Sequence, residues 1–180
     1  LQSLACMDGI FLCGGDDQPA VLRIDQNGKY ERLESFERTP GREEWIGNGP
    51  PLGVRSLTVT ADREVILAAV HVGGIPISDD SGISWKPTIP IIYDVHEVCA
   101  HPARPNIVAA ATTVGLCVSS DAGRNWSVLA DGLDITNSLA CAMLEDEVLF
   151  AICDGPFAKR SQLWRWRIDS EHIEQVHDGL

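Results

Sequence analysis

The chain has 180 residues, 44% apolar and 22% charged, an ordinary globular composition that is neither disordered nor collagen-like. Its 26 acidic and 14 basic groups give a formal net charge of −12, which argues against a nucleic-acid binder and against attraction to an anionic membrane. No apolar run approaches the ~20 residues that span a bilayer. The length suits one domain or an array of small repeats. The chain opens on Leu1 without a signal peptide, which reads as an excised piece of something longer.

Taken in order, residues 1–35 form a first unit, with Ser3-Leu4-Ala5-Cys6 near its start and Arg23-Ile24-Asp25 towards its end. Residues 36–51 are rich in Gly, Pro and charge and read as a surface loop insertion. The next unit, 52–92, contains the best strand signals. Val54 to Thr60 mixes alternation with β-branched residues, and Val65 to Val70 is a continuous apolar run, as in a strand covered on both faces. Gly73-Gly74 marks a turn, Ile75-Pro76-Ile77 opens a third strand, and a fourth follows Trp85.

That unit repeats. Ser78-Asp79-Asp80-Ser81-Gly82-Ile83-Ser84-Trp85 aligns without a gap on Ser119-Ser120-Asp121-Ala122-Gly123-Arg124-Asn125-Trp126, 41 residues later. Gly74 pairs with Gly115 and Arg63 with Arg104 at the same offset. The offset defines a third unit, 93–133, and continues more weakly into a fourth, 134–180, where Ser138-Leu139-Ala140-Cys141 echoes the start of the chain. Four short strands per ~40 residues, with no long helical periodicity, predict the blades of an all-β β-propeller. Four four-stranded blades fit a closed ring or part of a six- to eight-bladed one, and the slice is the favoured reading.

The two Ser-x-Asp-x-Gly-x-x-Trp segments resemble Asp boxes, the repeats of the bacterial neuraminidase (BNR) family. The resemblance implies a hairpin turn between the third and fourth strands of a blade. Asp80 and Asp121 would accept backbone N–H bonds within it, Gly82 and Gly123 would supply a positive φ, and Trp85 and Trp126 would be buried. Ser78 and Ser119 complete the motif. The end units depart from it. Asp25 and Tyr30 occupy the Asp and Trp positions of the first, Asp169 and Glu174 those of the last, and Arg23 and Arg167 replace Ser. The Asp79-Asp80 pair lacks the ligand spacing of an EF-hand calcium loop.

Sialidases of this resemblance carry an Arg-Ile-Pro motif, an arginine clamp for the substrate carboxylate, a Tyr–Glu nucleophile pair and an Asp acid/base. None of these has a counterpart here. Arg23-Ile24-Asp25 and Arg167-Ile168-Asp169 lack the Pro and fall at the wrong end of their units. No catalytic residue, metal ligand or cofactor is assigned. Two functions stay open: a non-catalytic propeller that binds a protein or carbohydrate ligand, and a sialidase-like glycoside hydrolase whose catalytic residues lie partly outside the chain.

One position offers a binding site. The 41-residue register places Arg55, His96 and Asn137 at matching starts of innermost strands, and Gln2 is the fourth. Such starts ring one mouth of a propeller channel, where convergent polar groups hold a ligand or channel water. Tyr93-Asp94-Val95-His96-Glu97 places a His between two carboxylates, a pattern suited to a general base or a metal ligand, or to a solvated loop.

The six cysteines, Cys6, Cys13, Cys99, Cys117, Cys141 and Cys153, show no metal spacing and sit in apolar stretches. They read as reduced core residues, which favours the cytoplasm. An even count also allows disulfides, with Cys6 near Cys13 or Cys141 near Cys153. A slice with two open blade faces would self-associate.

Overall fold

The computed structural model describes residues 1–15, 18–45, 53–155 and 159–178. Their strands form four four-stranded antiparallel sheets, each a meander in chain order. The first holds β1 (Ser3–Met7), β2 (Ile10–Gly14), β3 (Val21–Ile24) and β4 (Tyr30–Arg32). The second holds β5 (Val54–Val59), β6 (Ile66–Val70), β7 (Pro76–Ser78) and β8 (Lys86–Pro87). The third holds β9 (Val95–Ala100), β10 (Val108–Thr112), β11 (Gly115–Ser119) and β12 (Ser127–Leu129). The last holds β13 (Ser138–Met143), β14 (Glu147–Cys153), β15 (Ser161–Arg167) and β16 (Ile173–Asp178). The inner strands pack in sequence, β1 on β5, β5 on β9 and β9 on β13. This is a row of propeller blades.

The continuous apolar runs follow from that packing. Every residue of β6 and of β10 is buried. Within β6, Ile66, Ala68 and Val70 join the core shared with the first blade, while Leu67 and Ala69 join the core shared with the third. Within β10, Val108 and Ala110 face back, and Ala109 and Ala111 face the last blade. Strand alternation thus divides each run between two neighbours.

The described part of the 36–51 segment, residues 36–45, is more than a surface loop. A short helix, α1 (Glu34–Glu37), and a 3-10 turn (Arg42–Glu44) carry Phe36 and Trp45 into the first interblade core. Phe36 stacks edge-on against Trp85, with ring centroids 4.9 Å apart, and Arg42 lies 4.2 Å over the Trp45 ring. Residues 46–52 lie outside the described chain.

The terminal blades leave apolar groups in the open. Leu4, Phe11 and Tyr30 are exposed on the first, and Leu139, Leu144 and Val176 on the last. Among the described residues, no helix is long and apolar enough to cross a membrane.

Candidate functional site at the inner-strand bulges

Three inner strands carry a β-bulge at the same place. Val54 pairs with Val70 and Ser56 with Ala69, which leaves Arg55 unpaired. Val95 pairs with Thr112 and Glu97 with Ala111, which leaves His96 unpaired. Ser138 pairs with Ile152 and Ala140 with Ala151, which leaves Leu139 unpaired. A bulge frees one residue from the ladder and re-aims its side chain. β1 pairs straight through from Ser3–Gly14 to Met7–Ile10.

The bulges bring Arg55 and His96 to a common partner, Asp94. Its Oδ1 lies 3.9 Å from Arg55 Nη1 and 3.7 Å from His71 Nε2, and its Oδ2 lies 3.6 Å from His96 Nε2. Asp94 Oδ1 also accepts the Val72 N–H at 3.3 Å. The carboxylate therefore joins the second blade to the third. Asp94 (φ +38°) and Val72 (φ +47°) both hold positive φ, strained for side chains with a Cβ and most of all for a β-branched one. Such strain clusters where a site needs a fixed geometry.

The group is mostly screened from solvent. Side-chain exposure is 5% for His71, 12% for His96 and 23% for Asp94. Burial pushes the Asp94 pKa up, but the rings of His96 and His71 and the Arg55 guanidinium outweigh it, holding the carboxyl below its usual range. Burial likewise lowers the Arg55 pKa, against the pull of Asp94. His96 Nδ1 sits 2.6 Å from the Ser138 carbonyl, which can only accept. Nδ1 thus carries the hydrogen that bonds Ser138 O, and Nε2 faces Asp94 Oδ2. The group then offers a carboxylate acceptor and a guanidinium donor.

Gln2 and Asn137 do not join the group. Gln2 is exposed and donates its N–H to Gly14 O at 2.9 Å, and the Asn137 amide turns to Cys153 Sγ at 3.4 Å. The burial patterns of β5, β9 and β13 place Leu139, not Asn137, at the position of Arg55 and His96, because the offset lengthens from 41 to 43 at the last blade. Glu97 is also occupied, accepting the Cys141 N–H at 2.9 Å. His71 was the missed member. It lies on the turn after β6 rather than on an inner strand, and only a His directly following a fully buried run marked it.

The Ser-x-Asp-x-Gly-x-x-Trp turns lie at other strand ends and serve packing. Asp80 Oδ1 accepts the Ser84 N–H at 2.8 Å, and Asp121 Oδ1 accepts the Asn125 N–H at 2.8 Å. The Ser78 and Ser119 hydroxyls donate to those carboxylates and accept the N–H groups of Gly82 and Gly123. Gly82 (φ +87°) and Gly123 (φ +83°) sit against Leu33 and Leu67, where a Cβ would lie within 2.8 Å and 2.4 Å of a methyl. Asp79 lies 3.7 Å from both Lys86 and Arg124 and is paired with cations of the chain. Among the described residues no His, Cys, Asp and Glu cluster has the makings of a metal site.

No protein-family model matches the chain, and no curated protein matches it in sequence. Solved structures do match. The GH74 xyloglucanase from Xanthomonas campestris superposes with a TM-score of 0.69 at 16% identity, over 99% of this chain and 32% of that one. An ancestral GH74 enzyme gives 0.71 at 14% identity, over 93% and 24%. The computationally designed protein Ika4 gives 0.61 at 13% identity, over 93% and 90%. The chain thus spans a third or less of these two GH74 enzymes. At such identities the likeness is one of fold.

Proposed function

We propose that the chain is a non-catalytic BNR-type propeller unit that binds a polyhydroxylated ligand, a carbohydrate, at the Asp94 mouth. The observation that carries this is the convergence of Arg55, His71 and His96, from two blades, on one partly open carboxylate. Vicinal sugar hydroxyls donate to a carboxylate such as Asp94 and accept from a guanidinium such as Arg55. The exposed turns of the repeats leave room for a protein partner as well.

The second reading, a glycoside hydrolase completed by residues outside this chain, is favoured by the likeness to xyloglucanases. The site's chemistry favours binding. Glycoside hydrolysis uses a pair of carboxyl groups, one held protonated by a raised pKa. At the mouth Asp94 has its pKa lowered, and Glu97 is spent on a backbone bond.

Calorimetric titration with xyloglucan oligosaccharides and other neutral oligosaccharides, paired with an assay for new reducing ends, tests the proposal. The expected result is saturable binding, weakened about tenfold or more in Arg55→Ala and Asp94→Asn, with no release of reducing ends. Binding indifferent to both substitutions, or no binding across the panel, would overturn it. Release of reducing ends would establish the hydrolase.

A further inference from the structure

The third and fourth blades meet through sulfur. Cys99 on β9 and Cys141 on β13 bring their Sγ atoms to 3.4 Å. One interface earlier, the inner strands are joined by oxygen. The Ser56 hydroxyl bridges the N–H and C=O of Val98, and Thr58 Oγ1 accepts the Ala100 N–H at 3.3 Å. The burial patterns of β5 and β9 make Cys99 the counterpart of Thr58. The remaining cysteines have other surroundings. Cys6 is exposed, Cys117 lies against the Thr112 hydroxyl, and Cys153 reaches Gly155 O.

We propose that Cys99 and Cys141 form a redox-active dithiol, which a small disulfide oxidant such as oxidised glutathione closes into a disulfide clasp between the two blades. The sulfurs need to approach from 3.4 Å to about 2.0 Å, a movement within reach of side-chain rotation when the strands already hold them in contact.

The two thiols have different roles. Cys99 is partly exposed, and Cys141 is buried. Cys99 loses its proton to solvent and its thiolate attacks one sulfur of the oxidant. The oxidant's S–S bond breaks, and one glutathione leaves as a thiolate that takes up a proton. Cys141 then gives up its proton and attacks the Cys99 sulfur, expelling the second glutathione. The chain loses two hydrogens and the oxidant is reduced to two thiols. The hydrogen bond with Cys99 and burial push the Cys141 thiol pKa up, which suits it to the second step rather than the first.

The test is incubation of the folded chain with oxidised glutathione, an acid quench, and mass spectrometry with fragment mapping. The expected product is lighter by two hydrogens, is cross-linked between Cys99 and Cys141, and shows four alkylatable thiols after unfolding instead of the six in the sequence. Its melting temperature rises by about 5 °C and returns on reduction. Cys141→Ala retains glutathione on Cys99. Cys99→Ala, at the more exposed position, folds like the parent and gives neither cross-link nor adduct at Cys141. A parent chain that keeps all six thiols, stays glutathionylated at Cys99, or cross-links a different pair would overturn the proposal.

Discussion

The indole Nε1–H of Trp126 donates to Thr88 Oγ1 at 3.1 Å, tying the turn of the third blade to the outer edge of the second. Trp85 does the same one blade earlier, donating to Ser35 Oγ at 3.3 Å. Each motif turn therefore clasps the blade before it. The last blade has Glu174 where a Trp would stand. Its Asp169 instead pairs with Arg104 of the third blade at 3.0 Å. A groove of about 430 Å³ opens there between Trp126 and Trp166.

The two Trp clasps should differ in strength. Trp85 is 3% exposed and packs on Phe36, so Trp85→Ala should cost about 3–5 kcal/mol. Trp126 is only partly buried, and Trp126→Ala should cost less, about 2 kcal/mol. Urea melts check this, and equal losses would contradict the graded packing.

The turn aspartates should contribute through hydrogen bonds that titrate. Asp80 has its pKa drawn from 3.8 down to about 2, chiefly by the Ser84 hydroxyl, and Asp121 is lowered too, its bonds to Asn125 and Ser119 outweighing burial. A depressed folded pKa adds stability that is complete above the unfolded pKa and is lost as pH falls through the folded one. Asp80→Asn should therefore be less stable than the parent at neutral pH, by about 1 kcal/mol for so exposed a turn. The gap should close between about pH 4 and pH 2. A difference in urea midpoint that is constant across that range would exclude the linkage.

Native thiol reactivity should follow the same physics. Cys6 is the exposed cysteine, whereas Cys117 is fully buried with its pKa pushed to about 11 by desolvation. A thiol reagent applied to the folded chain should label Cys6 first and Cys117 among the last, as read by peptide mass spectrometry. Early labelling of Cys117 would contradict its place between the blades.

Much of the fold was legible in the sequence and much of the site was not. The repeat at 41 residues located the turns, and the run from Val65 to Val70 announced a strand covered on both faces. The bulges left no trace, because a bulge changes pairing and not composition. Asn137 consequently took the place that Leu139 holds. Asp94 was visible only as a neighbour of His96, since its role comes from a positive-φ backbone that aims it across to the second blade. The buried roles of Phe36 and Trp45 were hidden by the Gly, Pro and charge around them. Tyr30 sits at a Trp position but is 70% exposed, because the motif aromatic packs on a preceding blade and none of the described residues lies there. The cysteine pairs suggested by sequence separation, 6 with 13 and 141 with 153, gave way to a contact between neighbouring inner strands.

The open faces of the terminal blades should make the isolated chain self-associate. Leu4, Phe11 and Tyr30 on the first blade and Leu139, Leu144 and Val176 on the last are exposed apolar side chains that a second copy can cover. Light scattering should show an oligomer that Leu4→Lys with Leu139→Lys dissociates. A monomeric parent would exclude this contact.

The placement of the ligand at the Asp94 mouth is tested most directly by the imidazole resonances of the chain during titration with a bound oligosaccharide. His71 and His96 face Asp94, whereas His101 is locked by Glu145 O at 2.7 Å and His172 lies near the turn after β15. Saturation should shift the His71 and His96 signals and leave those of His101 and His172 in place. Shifts confined to His101 or His172, with His71 and His96 unmoved, would contradict it.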